Sequence, residues 1–164
     1  MEFTRLSQYL NANSLFVTAT KKLIRYKRVS SYTDTGKLTF YIHTGEPVTI
    51  TTYIDGDKET SNTCKAGDYV ISGPKGEKYV VMAHKLPANY NLIEDVLITR
   101  LLPRNVAKIT KQILKKVGIK GPIEFIASWG ESMVLGAGDY LVKEDEGKYY
   151  RIDGDLFKKT YKLQ

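Results

Sequence analysis

A chain of 164 residues and 18.6 kDa accommodates one compact domain or two very small ones and excludes two large ones. Its 42% hydrophobic content rules out wholesale disorder, and its formal net charge of +7 points towards acidic partners. With no run near the roughly 18 uncharged apolar residues of a membrane helix, no basic-then-apolar leader at Met1 to Arg5 and a single cysteine, Cys64, the expectation is a reduced, soluble, cytoplasmic protein without membrane insertion, internal disulfide or multi-cysteine zinc site.

In chain order, Phe16 to Thr20 and Leu23 to Val29 read as a strand pair or one long strand. Lys37 to Ile42 and Pro47 to Ile54 are rich in β-branched and aromatic residues, and the second alternates Val48, Ile50, Thr52 and Ile54 against Thr49, Thr51 and Tyr53, so both are expected as strands. His43 to Glu46 makes the turn between them, and a polar loop runs from Asp55 through Asn62. The first 67 residues are therefore read as mostly β.

A self-similarity then emerges. Ala66-Gly67-Asp68-Tyr69 recurs as Ala137-Gly138-Asp139-Tyr140, and the same ungapped register matches Gly76 with Gly147, Tyr79 with Tyr150 and Tyr90 with Tyr161. Each copy, 66–90 and 137–161, reads as a Gly-Asp corner, a β-hairpin and a short helical turn carrying Leu86 and Tyr90, or Phe157 and Tyr161. Between the copies, Val106, Ile109, Ile113, Leu114 and Val117 recur at helical spacing, with Asn105 as N-cap and Gly118 as stop. That reading sets Arg104, Lys108, Lys111 and Lys115 along one cationic stripe. A competing reading makes Arg104 to Ile109 a strand and starts the helix at Thr110, scattering the stripe. The fold class expected is β-rich α+β: two tandem hairpin-plus-short-helix repeats with an amphipathic helix between them, in lobes 1–92 and 93–164.

The Gly-Asp-Tyr corners, with Phe125 to Glu131 leading into the second, resemble the PGDYG-motif domains of small phage, prophage and bacterial proteins. The likeness covers the last third best and residues 64–90 less well. Ala66 and Ala137 stand where the motif has Pro, and Val70 and Leu141 where it has its last Gly. The resemblance implies architecture and a viral or mobile-element origin, with location in host cytoplasm or virion, and no reaction.

Catalytic patterns fail one after another. Asp34-Thr35-Gly36 has the aspartic-protease tripeptide but no apolar strand before it and no second copy. Gly73 to Lys78 misses phosphate-loop spacing and reads as a hairpin tip, and His43 and His84 lack metal-ligand spacing. Cys64 and Trp129 read as packing residues, and the repeat tyrosines chiefly as core. No catalytic residue, metal or cofactor is expected. Two acid-free clusters remain, Lys21, Lys22, Arg25, Lys27 and Arg28, and Arg100 to Lys120 with Arg104, Lys108, Lys111 and Lys115. They point to a non-enzymatic protein that binds an anionic partner: nucleic acid, nucleotide or acidic protein. The alternatives are a viral structural or host-interaction protein using exposed tyrosines, and a nucleotide-directed enzyme using Asp68 and Asp139, whose default role is turn stabilisation.

Overall fold

The computed structural model describes residues 1–30, 37–54, 57–145 and 147–164; Asp34-Thr35-Gly36 lies outside them. It is a β-rich α+β protein made of two units. A discontinuous unit combines Met1–Lys21 with Pro103–Gln164, and an inserted unit is the unbroken stretch Lys22–Leu102. The lobe boundary expected at 92/93 is thereby corrected, because strand pairing overrides chain proximity. β1 (Val17–Lys21) pairs antiparallel with β10 (Pro103–Lys108) and β15 (Tyr161–Leu163), which draws the first residues into the later sheet. A cut at 92 would also divide β8 (Tyr90–Ile93), which pairs with β9 (Val96–Thr99), itself paired with β2 (Arg25–Arg28).

The inserted unit is a six-stranded sheet in the order β7-β6-β3-β2-β9-β8, with β3 at Thr39–Ile42, β6 at Tyr69–Ser72 and β7 at Lys78–Val81. Strand alternation sends Tyr26, Phe40, Ile71 and Leu97 to one face, where they meet Leu86 of a short 3-10 helix, Ala83–Ala88. The other face carries Tyr41 and Val70, which pack with Ile50 and Cys64 of a separate hairpin, β4 (Val48–Ile54) and β5 (Asp57–Cys64). The polar loop expected through Asn62 is thus a strand from Asp57 onwards. Its polar backbone pairs with β4 from Cys64 to Thr60 and, beyond a register shift between Thr52 and Tyr53, again at Lys58 and Asp57, and Thr52 Oγ1 ties the hairpin to β7 through the Lys78 carbonyl at 2.6 Å and the Lys78 amide at 2.9 Å.

The discontinuous unit has a five-stranded sheet, β14-β13-β10-β1-β15, with β13 at Tyr140–Asp145 and β14 at Lys148–Ile152. One face, through Ala107, Leu141 and Tyr149, meets α1 (Glu2–Ala12), α2 (Lys111–Val117) and a hairpin of β11 (Ile123–Ile126) and β12 (Ser132–Leu135). Helix α1 was not expected, although Phe3, Leu6 and Leu10 have helical spacing. Leu6 and Leu10 are fully buried, and Phe3 stacks on Phe125 at 4.5 Å. Each such burial contributes about 1.5–3 kcal/mol. On the opposite face α3 (Gly154–Thr160), capped by Asp153 accepting from Leu156 N, lays Phe157 between Tyr140 and Tyr161 at 3.7 and 5.1 Å.

The helix expected from Asn105 is corrected in favour of the competing reading. β10 lies between β1 and β13, so both sides of its backbone are paired and adjacent residues Val106 and Ala107 are both buried, one on each face. Thr110 then takes the N-cap, accepting from Ile113 N at 3.1 Å, and a seven-residue helix ends at Gly118, whose φ of 79° ordinary residues rarely adopt.

Both matched stretches contain the same succession. A corner at Gly67-Asp68 (φ of Gly67, 91°) or Gly138-Asp139 (96°) leads to a hairpin, a short helix and a strand. Asp68 Oδ2 accepts from Lys65 N and Asp139 Oδ2 from Gly136 N, at 2.9 and 2.8 Å. The corner backbones exchange bonds with His43 in one unit and Ile109 in the other. In each unit one face of the following hairpin takes the short helix, and the other takes the segment inserted between the preceding strand and the corner.

Candidate anion-binding surfaces

The cations of the expected stripe separate by strand geometry. Arg104 and Lys108 share the face of Val106 on β10, alternating with Asn105 and Ala107, and stand on the α3 side of the sheet, whereas Lys111 and Lys115 lie on α2, which packs on the other side. Helix α2 buries Leu114, half-buries Ile113 and Val117, and exposes Lys111, Gln112, Lys115 and Lys116. Arg5 of α1 donates to the Val117 carbonyl at 2.8 Å, bringing a further guanidinium to the end of this face. Lys120 follows, also exposed, and no acid occurs from Arg100 to Lys120. Lys111 and Lys115, one turn apart, repel each other by about 0.2–0.5 kcal/mol. An outward cationic face of this kind concentrates polyanions.

The first cluster divides as well. In the inserted unit Lys22, Arg25 and Lys27 are exposed, with Arg25 and Lys27 opposite buried Tyr26 on β2. Arg28 is turned to Asp95 at 3.6 Å, an exposed pair worth little to stability. Lys21 belongs to the discontinuous unit, at the end of β1, where burial and then the charge of Arg104 hold its ammonium down to about 8.

The candidate acids are engaged by their own corners. Asp139 receives a two-pronged contact from Arg151, Nε at 2.8 Å and Nη2 at 3.3 Å, with both side chains mostly buried, and Asp153 approaches the same guanidinium at 3.8 Å. Asp68 has Val80 where Asp139 has Arg151 and relies on the Lys65 amide. Cys64 is fully buried, and burial followed by the charge of Asp68 pushes its thiol up, away from nucleophilic use. The His43 Nε2 lies 2.7 Å from the Glu46 carbonyl. Among the described residues no group of three His, Cys, Asp or Glu could hold a metal, and no helix is long and apolar enough to cross a membrane.

The sequence reading missed two features. Trp129, read as core, is 52% exposed at the tip of the β11–β12 hairpin, because the Ala127–Glu131 turn lifts it out of the strand. There it leans on Tyr150 at 5.7 Å. Glu77, read as part of a polar hairpin tip, is 1% exposed. It accepts from Lys75 N and from the Tyr79 hydroxyl, both at 2.8 Å, and its carboxyl fills the space where Gly73 has no side chain. Tyr26 and Tyr90, 6.2 Å apart, share this face of the sheet; burial, and for Tyr26 then Glu77, raises their phenols, that of Tyr26 to about 12.

Burial raises the Glu77 carboxyl against the opposing pull of its hydrogen bonds and Lys75. A carboxyl raised on folding binds its proton more readily in the folded chain, so its contribution is complete at acid pH and is lost as pH rises through the folded value. Glu77→Gln keeps an acceptor and removes the charge. Urea unfolding is expected to show the wild type losing stability relative to this variant between acid and neutral pH. A pH-independent difference would contradict the assignment.

No protein-family model matches this chain, and no curated protein or solved structure matches it either.

Proposed function

We propose that this is a non-enzymatic binding protein that engages a nucleic-acid strand through exposed lysine and arginine, with two copies of one strand, corner, hairpin and short-helix module as its scaffold. The observation that carries the reading is the outward face of α2. Lys111, Lys115 and Lys116 stand there, Arg5 reaches the helix end and Lys120 follows, with no acid in that part of the chain. Lys22, Arg25 and Lys27 give the inserted unit its own cationic set. Shared corner bonds and shared helix-side tyrosines support the duplication. A kinship with PGDYG-motif domains, and a phage or mobile-element origin with it, belongs to the same proposal and rests on the corner residues and the segment from Phe125 to Glu131.

The test is fluorescence anisotropy with a labelled single-stranded oligonucleotide across a salt series. Wild-type affinity is expected to fall steeply with salt. Lys111→Glu with Lys115→Glu and Lys116→Glu is expected to weaken binding by at least about tenfold and to reduce the log–log salt slope by about 0.7 per lysine removed. Salt-independent binding, or full affinity in the triple variant, would end the proposal. A second reading, a structural or host-directed protein that docks on another protein, draws on Trp129 and Ile126, which are 52% and 65% exposed on one hairpin. Loss of a stoichiometric protein partner on Trp129→Ala, unaffected by salt and nuclease, would favour it.

A further inference from the structure

We propose that β8, the open edge of the six-stranded sheet, pairs antiparallel with the β8 of a second copy of this chain about a two-fold axis, so that the protein self-associates edge to edge. This goes beyond the polyanion reading and uses none of its lysines. Strand register defines the edge. Thr99 N is bonded to the Ile24 carbonyl and Arg28 N to the Asp95 carbonyl, so in the same alternation Leu97 turns its backbone groups to β2, while Val96 and Ile98 turn theirs to β8. Their partners Ile93 and Asn91 face them, and Leu92 between directs its amide and carbonyl to the open edge. Asn91 to Asp95 are all exposed, with Leu92 at 45% and Ile93 at 58%. Tyr90 to Ile93 carry no charge, and an apolar edge without a charge is what sheet proteins guard against. The other three edges of the two large sheets are guarded. On β7, Thr52 Oγ1 takes both the amide and the carbonyl of Lys78; on β14, the Tyr149 carbonyl accepts from Ser128 N at 3.0 Å; and β15 is three residues long with exposed Lys162 at its centre.

Charge and register identify the occupant. β8 has an acidic end, Glu94 and Asp95 in the turn to β9, and a basic end, where Arg100 N is bonded to the Asn89 carbonyl and Lys85 lies in the last turn of the 3-10 helix. All four side chains are exposed, Asp95 in its loose pair with Arg28. Two copies paired antiparallel set the acidic end of each against the basic end of the other, whereas a parallel pairing would set like against like. With Leu92 opposite its own counterpart, each Leu92 amide meets the other copy's carbonyl, which closes the two-bond ring of an antiparallel ladder on the axis. The two Leu92 side chains then meet on the face of Tyr26 and Leu97. On the opposite face Ile98 and Asn91 form one row with Ile93 and Val96 of the second copy, and Ile98 and Val96 are only half-buried in the single chain. Glu94 adds an independent observation. Its φ of 55° lies in the left-handed region that glycine and asparagine favour, so turn geometry alone does not select a glutamate there. A facing basic end does. Four strand residues per copy make a small interface, so a dimer half-formed at about 10–100 μM is expected.

The experiment is sedimentation velocity of the full chain over a concentration series, read together with hydrogen exchange of the Leu92 amide by NMR. A reversible monomer–dimer equilibrium is expected, and exchange at Leu92 should slow as the dimer fills. Leu92→Lys places a charge on the edge, and Leu92→Pro removes the outward amide while keeping the bonds between β8 and β9. Each should weaken dimerisation by at least about tenfold, with circular dichroism checking the fold, so that one variant serves if the other does not fold. Glu94→Asn suits the left-handed turn and should keep or raise thermal stability while weakening the dimer about threefold, a split that a purely local role for Glu94 would not produce. The Lys111, Lys115 and Lys116 charge reversal should leave dimerisation intact, so failure of the nucleic-acid reading and failure of this one are separable. A chain still monomeric at about 1 mM, wild-type dimerisation in a folded Leu92→Lys or Leu92→Pro variant, or dimerisation without slower exchange at Leu92 would each overturn the proposal. So would open-ended growth beyond the dimer, or a strand of a different protein held on β8 by a chain that stays monomeric.

Discussion

Replacing Gly154 by alanine is expected to lower the stability of the discontinuous unit by about 3 kcal/mol, at the upper end of what overpacking usually costs. A Cβ at Gly154 would overlap the carbonyl oxygen of Gly138, a backbone atom fixed by the corner it belongs to. That carbonyl cannot swing aside as the end of a side chain could, because the Gly138 amide is bonded to Ile109 O at 2.7 Å and the Asp139 carbonyl receives Ile109 N at 2.8 Å. The first copy supplies the control, for Ala83 occupies the matching position and is exposed. Ala83→Gly should therefore cost no more than about 1 kcal/mol, the ordinary helix penalty of glycine. Differential scanning calorimetry should place the Gly154→Ala transition lower by about 10 °C. Equal effects at the two positions would remove the steric explanation.

Arg151→Leu is expected to destabilise the same unit by about 3 kcal/mol, because it leaves the mostly buried Asp139 carboxylate without its cation. Side-chain exposures of 16% and 14% place this pair well below the solvent-screened surface class. The leucine retains much of the apolar bulk, so the loss reports charge and hydrogen bonding more than packing. Asp68→Ala, at the matching corner with no arginine, removes a single acceptor for Lys65 N and should cost only about 1 kcal/mol, like loss of a capping residue. Chemical denaturation of both variants decides the matter. A loss at Asp68 as large as that at Arg151 would mean that the corner hydrogen bond, and not the ion pair, carries the energy.

The hairpins were readable from the sequence because their signals are local: alternation in Val48 to Ile54, and positive-φ glycines flanking apolar pairs at Gly67, Gly76, Gly138 and Gly147. The segment from Arg104 to Val117 was not, since Val106, Ile109 and Ile113 satisfy helical spacing whether or not the first of them lie on a strand. Pairing on both sides of β10 decided it, and those partners come from residues 17–20 and 140–143. Glu77 escaped notice for a related reason. A glutamate flanked by Gly76 and Lys78 looks solvated, and only the space left by Gly73 and the Tyr79 hydroxyl makes its burial feasible. The cationic composition was plain throughout, yet sequence proximity misled: Lys21 and Lys22 are neighbours in the chain and fall in different units. The association of Lys21 with Arg104 is likewise set by a strand pairing that no local pattern encodes.

The two sheets differ in when they can be completed. Every strand of the six-stranded sheet comes from the unbroken run 22–102, so it can close as soon as that run is available. The five-stranded sheet must join Thr18 and Thr20 to Gln164, through the Gln164 amide at 3.2 Å and its side chain at 2.8 Å, across a separation of 144 residues for the latter pair. Early closure of the intervening unit shortens the effective tether between those ends and lowers the entropy lost in bringing them together. Refolding should therefore proceed in two ordered phases, with amides of β6 and β9 gaining exchange protection before those of β1 and β15.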